Sequence, residues 1–301
     1  MNSKFISSLI FISFTFISKG YAQSNLLNAR VPQEIGKINE KQIESNDETP
    51  LEYGFVDDRD ILWSKTVWEV IDLKERINFP YYYPTDSILG NNRRSLYHVL
   101  MDNIKKGNIK EIYEDGYFLK KITYQNILDN TSDRELSPQG IKNSNAKKVL
   151  TAEDYDTAII EGQDVEQYLI KGTWYVNKRL GELKYRLLGI APVTVSVKSR
   201  LPTYPVSTEK LLFPLFWVWF PDARESLNSS YVFNVKNSSQ PITFDHMLNS
   251  RRFNSLIYKE ENVYQDRKIE DYIYDDALKQ LLESERIKSV IRDFEQDLWN
   301  N

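Results

Sequence analysis

The sequence predicts an α+β fold with an antiparallel sheet, an extended N-terminal arm and a helical C-terminus. Two runs rich in β-branched and aromatic residues, YLIKGTWYV and LKYRLLGI, flank a six-residue turn segment, as is typical of a β-hairpin. The heptapeptides DLKERIN (72–78) and DARESLN (222–228) each follow a strand-like run and carry helix-start residues in the same register. From residue 275 to 299 the apolar residues recur with a helical period.

The first 22 residues predict a secretory signal peptide. Lys4 precedes a thirteen-residue apolar run (5–17), and the small residues Gly20 and Ala22 stand where a signal peptidase cleaves. The run is shorter than the roughly 20 residues that span a bilayer, so we expect cleavage after Ala22 and export of the mature chain.

The exported chain is acidic and free of cysteine. Removing residues 1–22 takes away two lysines and no acid, which changes the formal net charge from −4 to −6 and disfavours nucleic acid as a partner. Without cysteine the chain has neither a disulfide nor an attachment point for an N-terminal lipid. The ten-residue apolar run at 211–220 contains Pro214, which favours a buried strand over a membrane helix.

Periodicity divides the rest of the chain into five segments. Residues 23–52 are polar and aperiodic and predict an extended arm. Residues 129–165 are also polar and predict a linker or insert between two α+β repeats, which occupy 53–128 and 166–264. Residues 265–301 predict a C-terminal helical segment.

The second repeat carries the strongest strand signals. Residues 168–176 and 183–190 predict a hairpin closed by NKRLGE, and LFWVWF (215–220) predicts a third strand. Because the three strands follow one another closely, a meander is the simplest arrangement.

Each heptapeptide also predicts the start of a helix. An N-cap Asp accepts from an amide of the first turn, and a Glu three residues later reaches back to the cap amide. We therefore predict that Asp72 with Glu75, and Asp222 with Glu225, are helix caps. The same pairs could serve as general acid and base, but a catalytic pair is needed once whereas a capping box recurs with the turn, which favours capping.

Further markers repeat along the chain and predict an internal duplication of a strand-helix-helix-strand unit. The offsets are 150 residues for the heptapeptides, 148 for the two histidines, His98 and His246, and 145 for Tyr113 and Tyr258. A single sequence leaves a chance coincidence open.

No stretch predicts a catalytic, metal or cofactor site. Asp57, Asp58 and Asp60 offer hard oxygen ligands, but the calcium-loop order is absent and Arg59 brings opposite charge, so turn residues are favoured. The two histidines lack the partners of a zinc site, and no nucleophile, P-loop or dinucleotide motif occurs. The alternative is a periplasmic hydrolase that uses carboxylates between the two halves.

Residues 249–276 predict a protein interface. Charges of both signs alternate there with aromatic residues, and Arg and Tyr are enriched at interfaces because they bury large area while keeping polar contacts. The alternative is that this stretch has no binding role and forms a solvent-exposed strand and helix whose aromatic residues face inward. The candidate interface residues are Arg251, Arg252, Tyr258, Tyr264, Arg267 and Tyr272.

Long blocks of the chain resemble the GldN family of the Bacteroidota, called PorN in non-gliding relatives. The blocks are SNLLNA, YGFVDDRDILWSKTVWEVIDLKERINFPYYYP, RRSLYHVLMDNIKKGNIKEIY, KYRLLGI, LFWVWFPDAR and NSRRFNSLIYKEENVYQDRKIEDYI. The resemblance spans nearly all of the predicted mature chain except the polar stretch at 129–165.

The resemblance implies a structural component of the type IX secretion system and the gliding machinery. Members of the family form rings in the periplasm with a lipoprotein, GldK or PorK, beneath the outer membrane, and contact the periplasmic part of GldM or PorM. It therefore implies no enzyme activity and no cofactor, and an indirect link to the membrane through the lipoprotein.

Overall fold

The computed structural model describes residues 50, 53–85, 94–202, 211–232 and 242–299, with the backbone alone at 297–299. The predicted signal peptide and nearly all of the predicted arm lie outside these residues. The α+β class is confirmed, because the described part combines antiparallel sheets with helices and ends in a long helix. None of its helices is both long enough and apolar enough to cross a membrane.

The strands of the described part are named in chain order. They are β1 (Ile61–Asp72), β2 (Ile112–Tyr113), β3 (Ser132–Leu136), β4 (Tyr155–Ile159), β5 (Gln167–Asn177), β6 (Glu182–Val195), β7 (Leu212–Pro214), β8 (Trp217–Trp219), β9 (Tyr231–Val232), β10 (Ile242–Thr243) and β11 (Leu256–Glu260).

The α-helices of the same residues are named likewise. They are α1 (Phe79–Tyr82), α2 (Leu96–Lys105), α3 (Tyr124–Thr131), α4 (Pro138–Asn145), α5 (Phe220–Asn228), α6 (Phe244–Asn249), α7 (Ile269–Tyr272) and α8 (Ala277–Trp299).

The main sheet has the order β11-β1-β5-β6-β8-β2, with β7 also paired to β6, and every pairing is antiparallel. The predicted hairpin is confirmed as β5 and β6, which are paired from Gln167 with Val193 to Asn177 with Glu182. The predicted third strand is confirmed in a shorter form, because β8 lies beside β6 but covers only three residues.

One face of the sheet carries the core. Ile71, Tyr168 and Ile170 point to this face and pack against apolar residues of α1, α2, α5 and α6. Farther along the same face α8 covers a second cluster, in which Ile287 and Ile291 contact Val67 of β1. These alternate positions are buried because successive side chains of a strand point to opposite faces.

The polar stretch predicted as a linker or insert is folded. Residues 132–136 and 155–159 form a separate two-stranded sheet, and α4 lies between the two strands in the chain. The buried Asp154 holds this segment together, because its carboxylate accepts from the Thr151 backbone amide at 2.7 Å and from Asn143 at 2.7 Å.

The predicted duplication is not confirmed. β1 has twelve residues and pairs with β5 along nearly its whole length, whereas β8 has three residues, of which two pair with β6. After β1 the chain forms a 3₁₀ turn and the four-residue α1, whereas the nine-residue α5 follows β8 directly. The similar heptapeptides therefore adopt different structures.

Candidate partner-binding surface

Asp72 and Glu75 do not form the predicted helix cap. Asp72 is the last residue of β1, and its Oδ1 accepts from the Lys74 amide in a tight turn at 2.9 Å. Glu75 accepts from the Asn254 side chain at 2.7 Å. The capping prediction is wrong for this copy, because the N-cap residue of α1 is Asn78, six residues after Asp72.

The second predicted cap is also wrong. α5 begins at Phe220 with Pro221 in its first turn, which places Asp222 inside the helix and leaves Glu225 exposed. Asp222 Oδ2 instead accepts from the backbone amides of Lys110 at 2.6 Å and Glu111 at 2.9 Å. The acid therefore connects α5 to the segment that leads into β2.

The candidate interface residues divide into an inner and an outer set. Arg251 belongs inside: its Nη2 donates to Glu69 Oε2 at 2.6 Å, and its guanidinium lies over the Tyr185 ring at 4.2 Å from the centroid. The chain turns at the C-terminal end of α6, where Arg251 adopts a positive φ of 50°. The backbone amide of Arg251 donates to the carbonyl of Leu248, and the backbone amide of Arg252 donates to the carbonyl of Met247. Its ionic group is already paired, so we remove Arg251 from the candidate interface.

Tyr258 is also largely inside. It lies at the β-bulge of β11 and packs against the Trp68 cluster, where burial raises the pKa of its hydroxyl. Arg252, by contrast, is exposed.

The remaining three candidates lie together. Arg267 places its guanidinium between two rings, 4.7 Å from the centroid of Tyr264 and 4.7 Å from that of Tyr272. Tyr272 donates to Glu283 of α8 at 3.1 Å, and burial, followed by this bond, raises the pKa of its hydroxyl to about 12. Tyr264 is 65% exposed, so the stack presents one ring to solvent and anchors the other on α8.

A second loop, residues 114–121, meets the loop at 261–267. Tyr117 of the first loop donates its hydroxyl hydrogen to Asp266 Oδ2 at 3.1 Å, while Asp266 Oδ1 accepts from the Asn262 amide at 2.9 Å. Lys259 Nζ donates to the same Tyr117 hydroxyl at 2.6 Å. One carboxylate thus holds both loops, which we call the two-loop surface.

The two-loop surface exposes large apolar side chains. Val263 is 91% exposed, Leu119 84%, Tyr264 65% and Tyr117 45%. Contiguous exposed apolar groups with polar neighbours are typical of protein-binding surfaces. The sequence placed Tyr264 there but not Leu119, because residues 114–121 show no period that marks them as structured.

Two lysines and an aromatic layer support this surface from below, on the sheet face opposite the helical core. Lys259 Nζ lies 4.1 Å from the Trp68 ring centroid, and Lys171 Nζ lies 4.9 Å from it and donates to Gly116 O at 2.9 Å. Burial lowers the pKa of both ammonium groups, and the charge of Lys259 lowers that of Lys171 further. The rings offset part of this desolvation because their faces attract cations.

Gly189 lets the loop approach the sheet. A Cβ at this position would lie 2.4 Å from the Phe118 ring, and Phe118 also packs edge-on to Trp217 and Trp219. The missing side chain therefore allows Phe118 to lie on β6 and to fix the loop that carries Tyr117.

The acidic cluster near residue 57 is used in ion pairs. Asp57 pairs with Arg59 at 2.9 Å, and Asp60 pairs with Arg179 at 2.8 Å. Among the residues that the structure describes, no three His, Cys, Asp or Glu side chains are grouped to hold a metal ion.

The protein has an α+β fold, and its two-loop surface exposes apolar side chains on loops that are joined by hydrogen bonds within the chain. Residues 56–300 match the family described as "Gliding motility associated protein GldN", which covers most of the chain. The chain belongs to the GldN family, as the resemblance of its sequence blocks indicated, and the family is a structural component of gliding motility and type IX secretion. A comparison with curated proteins gave no match.

Proposed function

We propose that the protein is a periplasmic structural subunit of the type IX secretion system that assembles into a ring-like complex with a lipoprotein of the GldK or PorK type. The observation that carries the proposal is the family match over residues 56–300. The predicted signal peptide supports a location outside the inner membrane. The chain has no cysteine that could carry a lipid. We therefore assign the attachment of the complex to the inner face of the outer membrane to the lipoprotein.

The two-loop surface supports a role in docking. Its exposed apolar groups are held by Asp266 and by Lys259 before any partner arrives, which lowers the entropy lost on binding. The arrangement provides contact area and no paired reactive groups, which suits recognition. We assign this face to a protein partner, either the lipoprotein or the periplasmic part of a GldM or PorM type protein.

Fractionation and co-purification test the proposal. A tagged copy expressed in a strain that lacks its own is expected in the envelope fraction, in a large complex with the lipoprotein, and to restore secretion. Deleting the lipoprotein is expected to release the protein into the soluble periplasmic fraction. A cytoplasmic location would contradict the assembly. So would a monomeric protein in the envelope extract of cells that still secrete type IX substrates.

A further inference from the structure

A cleft of about 330 Å³ lies between the turn end of the β5 and β6 hairpin and residues 53–56, which precede β1. Its volume falls at the lower end of the range of small-molecule pockets, roughly 300 to 1,000 Å³. Apolar side chains form part of its wall, and they are Phe55, Val56 and Leu180. Phe55 is 91% exposed and Leu180 56%, so the free chain leaves much of this apolar wall in contact with water.

The cleft also contains a guanidinium without a carboxylate partner. Arg186 Nη2 donates to Gly54 O at 2.7 Å, and within the part of the chain that the structure describes this side chain forms no ion pair. The rings of Tyr53 and Tyr175 position the guanidinium, with centroids 5.0 Å and 5.5 Å from its Cζ. A guanidinium carries further N–H donors in a planar fork, so Arg186 can still bind an acceptor in the cleft.

The wall beside Arg186 is held in place by the core of the protein. Tyr53 donates its hydroxyl hydrogen to Asn249 Oδ1 at 2.7 Å, and the Arg224 guanidinium lies 4.3 Å from the centroid of its ring. Arg224 is in turn paired with Asp245 at 2.9 Å. The position of Tyr53 is therefore fixed before a ligand arrives, which lowers the entropy lost on binding.

The charges of the cleft favour a singly charged anion. Among the described residues, no aspartate or glutamate lines it. Lys184 lines the cleft but pairs with Glu182 at 3.2 Å, so Arg186 supplies the charge that remains uncompensated. A cationic ligand would be repelled, and a neutral ligand would cover the guanidinium without providing a counter-ion, which is costly. A doubly charged anion would leave one of its own charges unmatched.

We propose that this cleft binds a carboxylate that carries an apolar substituent. The two oxygens of a carboxylate match the planar fork of Arg186, and the substituent covers Val56 and Leu180. The carboxylate belongs either to a small carboxylic acid or to the C-terminal residue of a peptide. The site is independent of the assembly proposed above, so its loss is expected to leave the envelope complex intact.

Matched ligands test the ion pair without changing the protein. The full mature chain is titrated with N-acetylleucine and with N-acetylleucinamide, which has nearly the same shape but no charge, using calorimetry and saturation-transfer NMR. N-acetylleucine is expected to bind in the millimolar range or more tightly, and the amide at least about tenfold more weakly, because a charge-assisted pair is lost. Equal binding of the two, or no binding of N-acetylleucine, would overturn the proposal.

Two simple anions test the apolar contact. Acetate keeps the carboxylate but lacks the substituent, and it is expected to bind at least about tenfold more weakly than N-acetylleucine. Inorganic phosphate, which is largely doubly charged above neutral pH, is expected to bind no more tightly than acetate. If either ion binds as tightly as N-acetylleucine, the cleft has no preference for an apolar carboxylate and the proposal is wrong.

A short peptide distinguishes the two sources of the carboxylate. N-acetyl-alanyl-alanyl-leucine presents the same C-terminal group on a longer chain. Binding at least as tight as that of N-acetylleucine assigns the cleft to the C-terminal residue of a peptide. Binding of N-acetylleucine alone assigns it to a small carboxylic acid.

Variants with matched controls test the location. Arg186→Gln is expected to abolish binding of N-acetylleucine, whereas Arg59→Gln, at an arginine whose side chain is 86% exposed and outside the cleft, is expected to leave it unchanged. Leu180→Asp places a like charge in the wall and is also expected to abolish binding, with Leu278→Asp, at a 66% exposed position of α8, as its control. Unfolding midpoints establish which variants are folded.

The two tests of location support each other. If Arg186→Gln does not fold, the comparison of Leu180→Asp with Leu278→Asp decides, because position 180 lies in an exposed turn. Binding of N-acetylleucine that survives in folded Arg186→Gln or in folded Leu180→Asp would place the site elsewhere and contradict the proposal.

Discussion

Arg251 and Glu69 form an ion pair across 182 residues, with Arg251 Nη2 at 2.6 Å from Glu69 Oε2. The pair joins the turn after α6 to the middle of β1, and Glu69 is 1% exposed. Breaking a buried ion pair from one side leaves the other charge desolvated and unpaired, which is usually more costly than the pair itself is favourable.

Arg251→Ala is expected to lower the free energy of unfolding by about 3 kcal/mol. The effect falls at the low end of the usual range because the arginine side chain keeps 24% exposure. Urea denaturation measures it, with the exposed neighbour Arg252→Ala as the control, for which a change within about 0.5 kcal/mol is expected. Similar midpoints for the two variants would show that Arg251 is not part of the interior.

Asp222 acts as a connection between segments, and its loss is expected to reduce stability by roughly 1.5 kcal/mol, since two charge-assisted bonds to the Lys110 and Glu111 amides disappear. Asp222→Asn keeps one acceptor oxygen and is expected to lose less than Asp222→Ala. Glu225→Ala, at an exposed position of the same helix, is the control. If Glu225→Ala were as harmful as Asp222→Ala, the capping prediction would regain support.

Stability is expected to depend on pH through His98. Its Nδ1 lies 2.8 Å from Ser95 Oγ, and burial lowers the pKa of its imidazole, with the nearby Asp102 charge opposing the shift. The unfolded chain, with an ordinary pKa near 6.5, therefore binds the proton more readily than the folded chain. The contribution of His98 is complete above about pH 6.5 and decreases as the pH falls below it.

His98→Gln tests this dependence against wild type by denaturation at about pH 7.5 and about pH 5.5. The wild-type chain is expected to lose more stability than the variant between these values. His246→Gln, at an exposed histidine of α6, controls for removing a histidine as such. Identical pH profiles for His98→Gln and wild type would exclude His98 as the origin.

The elements that depend on local sequence pattern were predicted from the sequence. Alternation and turn residues were enough for the β5 and β6 hairpin, and a helical period was enough for α8. The capping prediction failed because a local Asp-x-x-Glu signature also suits an Asp that binds distant amides, as Asp222 does. The role of Arg251 was missed for a similar reason: its partner lies 182 residues away and only the folded chain brings them together.

The two-loop surface was predicted in part. Tyr264, Arg267 and Tyr272 stood out because aromatic and charged residues alternate there. Tyr117 and Leu119 did not, because their loop is positioned by Asp266 and by Phe118 packing over Gly189, contacts that no local pattern contains.

The last prediction concerns binding by the two-loop surface. Changing Leu119 and Val263 together to Ser removes two side chains that are 84% and 91% exposed, so the fold is expected to be unaffected, with an unfolding midpoint equal to that of wild type. If a partner covers these groups, the variant is expected to lose at least about tenfold in affinity, since burying each such side chain contributes roughly 1.5 to 3 kcal/mol. Retention in the envelope complex and secretion of type IX substrates are the measurements.

Two further variants sharpen this test. Phe55→Ser removes an apolar residue that is 91% exposed at another place and is expected to leave retention unchanged, which controls for a general loss of surface hydrophobicity. Asp266→Ala keeps every exposed apolar group but releases both loops, because Tyr117 and the Asn262 amide lose their shared acceptor. It is expected to weaken retention less than the double Ser variant, through lost preorganisation rather than lost contact area. If the double Ser variant and Asp266→Ala both stay in the complex as wild type does and secretion continues, the two-loop surface is not where the partner binds, even though the chain belongs to the family.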